Sequence, residues 1–157
     1  MTYCCAIDRI LLVNQYNTKP DGNVAKRAVK IKGKKRNIKA LLLDQSFLSG
    51  LGNIYVDESL WASNIHPNSI SCFIPKQKVI QLHNNIRIIL SESIKQLGTT
   101  FINFTFLNGQ SGNYSNELKI FGKQGKPCEK CSNKIKKIKV AGRGTHVCNK
   151  CQKTHKS

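Results

Sequence analysis

Hydrophobic and polar positions alternate without a sustained period over residues 1–29, where Asn17-Thr18-Lys19-Pro20-Asp21-Gly22-Asn23 has the composition of a turn or linker. Beyond that point the pattern sharpens. Leu41-Leu42-Leu43 and the run from Ile54 to Leu60 are apolar stretches with helical spacing, separated by Ser49-Gly50-Leu51-Gly52-Asn53. This predicts helices over roughly 37–48 and 53–63, the second ending before His66-Pro67 because a residue preceding proline disfavours the helical region. Pro75 opens a longer helix, 76–97, in which Val79, Leu82, Ile86, Ile89 and Leu97 fall largely on one face and Gly98 is the stop signal. Phe101 to Phe106 is apolar and aromatic, and Leu107-Asn108-Gly109-Gln110-Ser111-Gly112-Asn113 reads as an exposed, glycine-bearing loop. From Lys119 onward, short strands and turns replace the helical period. The chain is therefore expected to be mainly α with a small β element.

Charge narrows the partner. Lys and Arg number 26 against 8 Asp and Glu, a formal net charge of +18 in 157 residues. Blocks such as Lys30-Ile31-Lys32-Gly33-Lys34-Lys35-Arg36 repel one another unless counter-charge is supplied, which points to a polyanion rather than a neutral small molecule. No apolar stretch approaches the ~20 residues of a membrane span, and Asp8 and Arg9 interrupt any signal-like run, so a cytoplasmic protein with no membrane partner is expected.

Seven cysteines, an odd number with four of them in Cys-x-x-Cys pairs, suggest a reducing compartment and a metal rather than a disulfide frame. Cys128, Cys131, Cys148 and Cys151 form two knuckles separated by sixteen residues, the pattern of a structural, tetrahedral Zn²⁺ site. Lys134 to Val147 is long enough for a two-stranded ribbon that brings the knuckles face to face. Zinc binding of order ~10–16 kcal/mol can hold such a segment with almost no core. His146 and His155 are expected at the surface, facing solvent or nucleic acid, and Cys4, Cys5 and Cys72 as ordinary thiols. Within the ribbon, Gly142-Arg143-Gly144 puts an arginine at the projecting turn, where its planar fork can reach a phosphate.

Taken together, Lys34-Lys35-Arg36-Asn37-Ile38-Lys39, Leu43-Asp44-Gln45, Gly50-Leu51-Gly52-Asn53-Ile54-Tyr55-Val56-Asp57-Glu58, His66-Pro67, Gly98-Thr99-Thr100 and the four-cysteine segment with Gly142-Arg143-Gly144-Thr145 resemble, in order, the C-terminal half of the formamidopyrimidine-glycosylase/endonuclease VIII family. The resemblance runs from about residue 26 to the end. It implies a helix–two-turn–helix DNA-binding domain over 30–118 and a zinc-finger ribbon over 119–157, with 1–29 an N-terminal segment or linker. It also implies base-excision repair, with double-stranded DNA, damaged or abasic, as the partner, and a nucleoid-associated location.

By the same resemblance, Lys35, Asn53 and Arg143 contact DNA. Asn53 grips a phosphate beside the lesion at a helix start, where free N–H groups favour an anion; capping its own helix is the other role open to it. Arg143 binds the phosphates flanking the damaged nucleotide and is a proton donor in the second elimination step. Asn108, Gly109, Gln110, Ser111 and Gly112 match the loop that closes over a flipped-out oxidised purine. Phe121 stands where many relatives have tyrosine.

The family's chemistry uses an N-terminal proline amine with a neighbouring glutamate, whereas this sequence begins Met1-Thr2-Tyr3-Cys4-Cys5. Its eight acids make no evident acid/base pair. Two expectations follow: half of a glycosylase/AP lyase complemented by a separate N-terminal catalytic chain, or a truncated, non-catalytic damaged-DNA-binding module. A zinc-ribbon ribosomal or transcription protein would account for charge and cysteines but not for residues 34–67.

Overall fold

The computed structural model describes residue 31 and residues 33–96, 98–99 and 113–156. The segment 1–29, the aromatic stretch Phe101 to Phe106 and the loop residues Asn108 to Gly112 lie outside the described residues.

Helix α1, Ile38–Leu43, starts where Asn37 caps it, the side-chain oxygen accepting the Ala40 N–H at 3.0 Å. It stops well before residue 48, and the reason is local competition. The Asp44 carboxylate accepts the Ser46 N–H at 3.0 Å, so a side chain takes a donor that a longer helix would direct to the Leu42 carbonyl, and Asp44 itself is extended at φ −71° and ψ 105°. Gln45 Oε1 accepts the Gly50 N–H at 3.0 Å and closes the turn that follows. Ser46 hydrogen bonds and the neighbouring Arg36 guanidinium hold the Asp44 carboxyl down to about 2. The turn closes through Gly50 at φ +88°, a left-handed conformation that costs glycine nothing.

Helix α2, Asn53–Ala62, follows, and α3, Lys76–Lys95, opens after Pro75 and ends two residues before the expected limit. Short 3₁₀ turns occupy Ser71–Phe73 and Tyr114–Glu117. Strands β1, Lys136–Val140, and β2, Arg143–Val147, form an antiparallel ribbon with Val140 opposite Arg143 and Lys136 opposite Val147.

Two apolar clusters organise these elements. One joins α1, α2 and α3 through Ile38, Leu42, Val56, Leu60, Val79 and Leu82, all buried. The other gathers Trp61, Ile120, Ile135, Cys128 and Cys148 around the ribbon base. Helix α2 contributes to both, so its residues Val56 to Trp61 are buried without interruption and its apolar pattern has no solvent side. No helix among the described residues is long and apolar enough to cross a membrane.

The two-residue turn of the ribbon, Ala141-Gly142, has φ +51° and +72°, the type I′ geometry that matches the twist of flanking strands. Alanine is poorly suited to the first of these positions because its Cβ meets the following carbonyl. Replacing Ala141 by Asn should therefore raise the opening free energy of the β1–β2 amides by ~0.5–1 kcal/mol, and Ala141→Val should lower it. Hydrogen exchange on the ribbon amides measures both; equal protection in the two variants would contradict the turn assignment.

Candidate metal centre and nucleic-acid interface

The four sulfurs expected to ligate zinc are brought together. Their Sγ atoms all lie within 4.8 Å of one another, with Cys131 to Cys148 at 3.4 Å and Cys128 to Cys151 at 3.8 Å. A tetrahedron of sulfurs about 2.3 Å from Zn²⁺ has edges of about 3.8 Å, so the donor set fits the metal in type, number and spacing. Each knuckle is wound by its own backbone. The Cys128 carbonyl accepts the N–H groups of Cys131 and Ser132 at 3.2 and 2.7 Å, and the Cys148 carbonyl accepts that of Gln152 at 3.0 Å. The Asn133 N–H beside Cys131 draws its thiol down to about 7, while burial pushes Cys148 and Cys151 up. Four crowded thiols are best ionised together by a divalent cation. Such a closed site folds the ribbon and performs no chemistry.

The metal cluster is tied to the helices by side chains that the sequence pattern did not single out. Trp61 Nε1 donates to Cys128 Sγ at 3.3 Å, an outer contact that supports thiolate charge. Gln152 accepts the Cys148 N–H at 2.8 Å and donates to the Ile65 carbonyl at 2.9 Å. Lys130 donates to the Trp61 and Ala62 carbonyls at the end of α2, 2.8 and 3.1 Å away, with its ammonium 4.2 Å from the Trp61 ring centre.

Asn53, Asp57 and Trp61, at i, i+4 and i+8, form one stripe of α2, and all three reach the finger. Asn53 Nδ2 donates to the Gly144 carbonyl at 3.1 Å, and Asp57 Oδ2 accepts the His146 N–H at 2.9 Å. The other oxygen of Asp57 accepts from Lys39 Nζ at 2.6 Å, and that ammonium also donates to Thr145 Oγ1 at 2.7 Å. Neither side chain of the Lys39–Asp57 pair touches solvent. Burial pushes the Asp57 carboxyl up to about 6 against the opposing pull of Lys39, and burial pushes the Lys39 ammonium down. The adjacent Glu58 carboxylate collects the N–H groups of Lys119, Ile120 and Phe121 at 2.8–3.1 Å, which offsets the upward push of its own burial.

Two of the three residues expected to contact DNA are thereby brought together. Arg143 is exposed at the first position of β2, one step past the turn rather than at its tip, and Asn53 holds the carbonyl of the next residue, Gly144. Asn53 does not cap its helix with its side chain; Gly52 is the N-cap, without a side-chain bond. A carbonyl only accepts, so the Asn53 amide turns its donor side toward Gly144, and its buried Oδ1 has no partner among the described residues. Gly52 needs no glycine for conformation, since φ −90° and ψ 168° suit any residue. A Cβ there would meet only Tyr55 Cδ2, 4.0 Å away. The bare backbone at 52 leaves open space beside Asn53.

Lys35 is exposed in the segment leading to α1, and the backbone on either side of it is fastened by Ser71. The Ser71 hydroxyl donates to the Lys34 carbonyl, and the Ser71 N–H donates to the Arg36 carbonyl at 2.9 Å.

Both histidines depart from the surface reading. His146 is buried, edge-on to Phe121 with ring centres 4.8 Å apart, because β2 turns that side chain toward α2. His155 is half-buried, its N–H donating to Ser69 Oγ at 3.1 Å. Cys72 is a free, half-buried thiol, and Cys4 and Cys5 lie outside the described residues.

Comparison with known proteins bears on this geometry. Residues 17–104 match the formamidopyrimidine-DNA glycosylase H2TH domain, and residues 125–154 match the zinc finger found in FPG and IleRS. Formamidopyrimidine-DNA glycosylase of Lactobacillus helveticus is 51% identical over 126 residues, 80% of this chain and 46% of the relative. Lactococcus lactis formamidopyrimidine-DNA glycosylase non-covalently bound to DNA containing an AP site superposes with a TM-score of 0.75 at 39% identity, covering 83% of this chain and 47% of that one. The MutM (FPG) protein of Thermus thermophilus gives 0.78 at 31% identity over 82% of this chain and 49% of its own. The chain spans about half the length of the curated relatives it matches. With a helical region matched across more than half its length and an FPG-type finger behind it, the chain belongs to the formamidopyrimidine-DNA glycosylase H2TH family.

Proposed function

We propose that this chain is the DNA-binding half of a base-excision-repair glycosylase/AP lyase and holds damaged or abasic duplex DNA by its phosphates. In this reading α1, the turn at 44–52 and α2 are the helix–two-turn–helix element of a domain over 30–118, and 119–157 is the finger. The observation that carries it is the union of Asn53 and Arg143. One hydrogen bond to Gly144 ties the start of α2 to the strand that bears the exposed guanidinium, beside a glycine whose missing side chain the fold does not require. Arg143 supplies a bidentate phosphate fork, Asn53 the second amide hydrogen, and Lys35 a point charge on a fastened segment. A chain of +18 charge provides the long-range attraction, sequence-independent and sensitive to salt.

Glycosylase and lyase chemistry belongs, on this reading, to an N-terminal catalytic half. Among the described residues the two adjacent carboxylates of α2 are committed elsewhere: Asp57 to Lys39 and the His146 N–H, Glu58 to three backbone donors. Neither is available as a general acid or base. Arg143 acts as proton donor in the second elimination only when that half is present, and Asn108 to Gly112 then serve as the lesion loop.

Fluorescence anisotropy should find tighter binding to a duplex carrying a tetrahydrofuran lesion than to the intact duplex at moderate ionic strength; equal affinity would defeat the proposal. Arg143→Ala should reduce the slope of log K against log salt by about one, the loss of a single phosphate contact. An unchanged slope would remove Arg143 from the backbone contacts. Chelation of the metal should abolish amide protection in β1 and β2 and weaken DNA binding while leaving the α1–α3 cluster protected. Retained ribbon protection after chelation would contradict the zinc assignment.

A further inference from the structure

Arg143 is exposed, at the end of a two-stranded ribbon that a metal fixes only at the far end. Something must hold the near end in register, and the groups that do so come from α1 and α2. Lys39 is fully buried and its ammonium has two partners, Asp57 Oδ1 at 2.6 Å and Thr145 Oγ1 at 2.7 Å. An ammonium only donates, so the Thr145 hydroxyl accepts from it and must direct its own hydrogen elsewhere. It does: Thr145 Oγ1 donates to the Arg143 carbonyl at 3.0 Å. The same carboxylate that fixes Lys39 accepts the His146 N–H at 2.9 Å, and Asn53 holds the intervening Gly144 carbonyl. Four consecutive residues of β2 are thus pinned on one side, three of them through the Lys39–Asp57 pair.

We infer that Lys39 and Asp57 are positioning residues: acting through the Thr145 hydroxyl, they set the strand position from which Arg143 grips phosphate. A charged pair buried from solvent is rarely justified by stability alone, since apolar residues of equal volume commonly do as well. A defined geometry for a neighbouring group is the better account of its presence. The Arg143 charge is felt at the pair, where it adds to the burial that disfavours the Lys39 ammonium. The inference rests on the phosphate-binding reading of Arg143.

The test is a double-mutant cycle on affinity for a tetrahydrofuran-containing duplex, with zinc content and melting recorded for every variant. Thr145→Val, nearly isosteric, should weaken binding about fivefold or more while keeping one zinc per chain, and Thr145→Ser should restore affinity to within about twofold. In an Arg143→Ala background the same Thr145→Val change should cost under about twofold, because the group it positions is gone. The paired change Lys39→Met with Asp57→Asn, which removes both charges yet keeps an acceptor for the His146 N–H, should reproduce the pattern should Thr145→Val fail to fold. If Thr145→Val weakens binding by the same factor in both backgrounds, or Thr145→Ser fails to rescue, the positioning role is wrong while the phosphate contact stands. If Arg143→Ala alone leaves affinity and salt slope unchanged, the phosphate reading falls and takes the positioning role with it.

Discussion

A helix buried on both sides cannot keep its polar residues in water, and α2 is such a helix. One side packs Val56 and Leu60 against α1 and α3, and the other carries Asn53, Asp57 and Trp61 into the finger. Two carboxylates in that position would be prohibitive unless each were satisfied. Asp57 is met by a buried ammonium and a strand N–H, Glu58 by three successive backbone N–H groups. Satisfying them is what joins the two clusters. The N–H groups of Lys119, Ile120 and Phe121 belong to the segment entering the finger and that of His146 to its second strand, so the carboxylates fasten the finger at two places.

The metal and the carboxylates divide the work. A four-sulfur site closes the ribbon onto itself but says nothing about how the ribbon sits on the helices. Gln152 and Trp61 link that site outward, one bridging Cys148 to the Ile65 carbonyl and the other donating to Cys128. Lys130 covers the last carbonyls of α2 from the finger side. The ribbon is therefore held at its base by metal and indole and along β2 by Asn53, Asp57 and Lys39. A two-stranded ribbon alone is marginal in water; held at both places, it can present an exposed arginine at a defined position.

What the sequence disclosed follows from the range of each interaction. Cysteine spacing is a local signal with few alternatives, and the sulfurs meet as expected. The α3 periodicity is also local, and Val79, Leu82 and Ile86 are buried. Helix α1 is shorter than its apolar pattern suggests because the Asp44 carboxylate takes the Ser46 N–H, a side-chain competition that an apolar count does not register. Asn53 does not act as a cap because a partner 91 positions away, Gly144, takes its amide. The Lys39 network is invisible in the sequence for the same reason: Asp57 lies 18 residues away and Thr145 106. A lysine in a chain rich in lysine reads as surface until its neighbours in space are known. One signal is present: Asp57-Glu58 is a pair of acids within an apolar run, in a chain with only eight acids.

The glycines of the 44–52 turn separate two kinds of constraint. Gly50 is dictated by the fold, since its positive φ is open to few other residues. Gly52 is not: its dihedrals are ordinary and its vacant Cβ direction meets nothing closer than 4.0 Å. This residue precedes an amide whose oxygen is buried and whose nitrogen donates to the strand bearing Arg143. On the proposed phosphate-binding reading, a missing side chain at this position permits an anionic backbone to come close to the N–H groups at the start of α2. On that argument the two glycines answer different questions, one about how the chain turns and the other about what comes to lie against it.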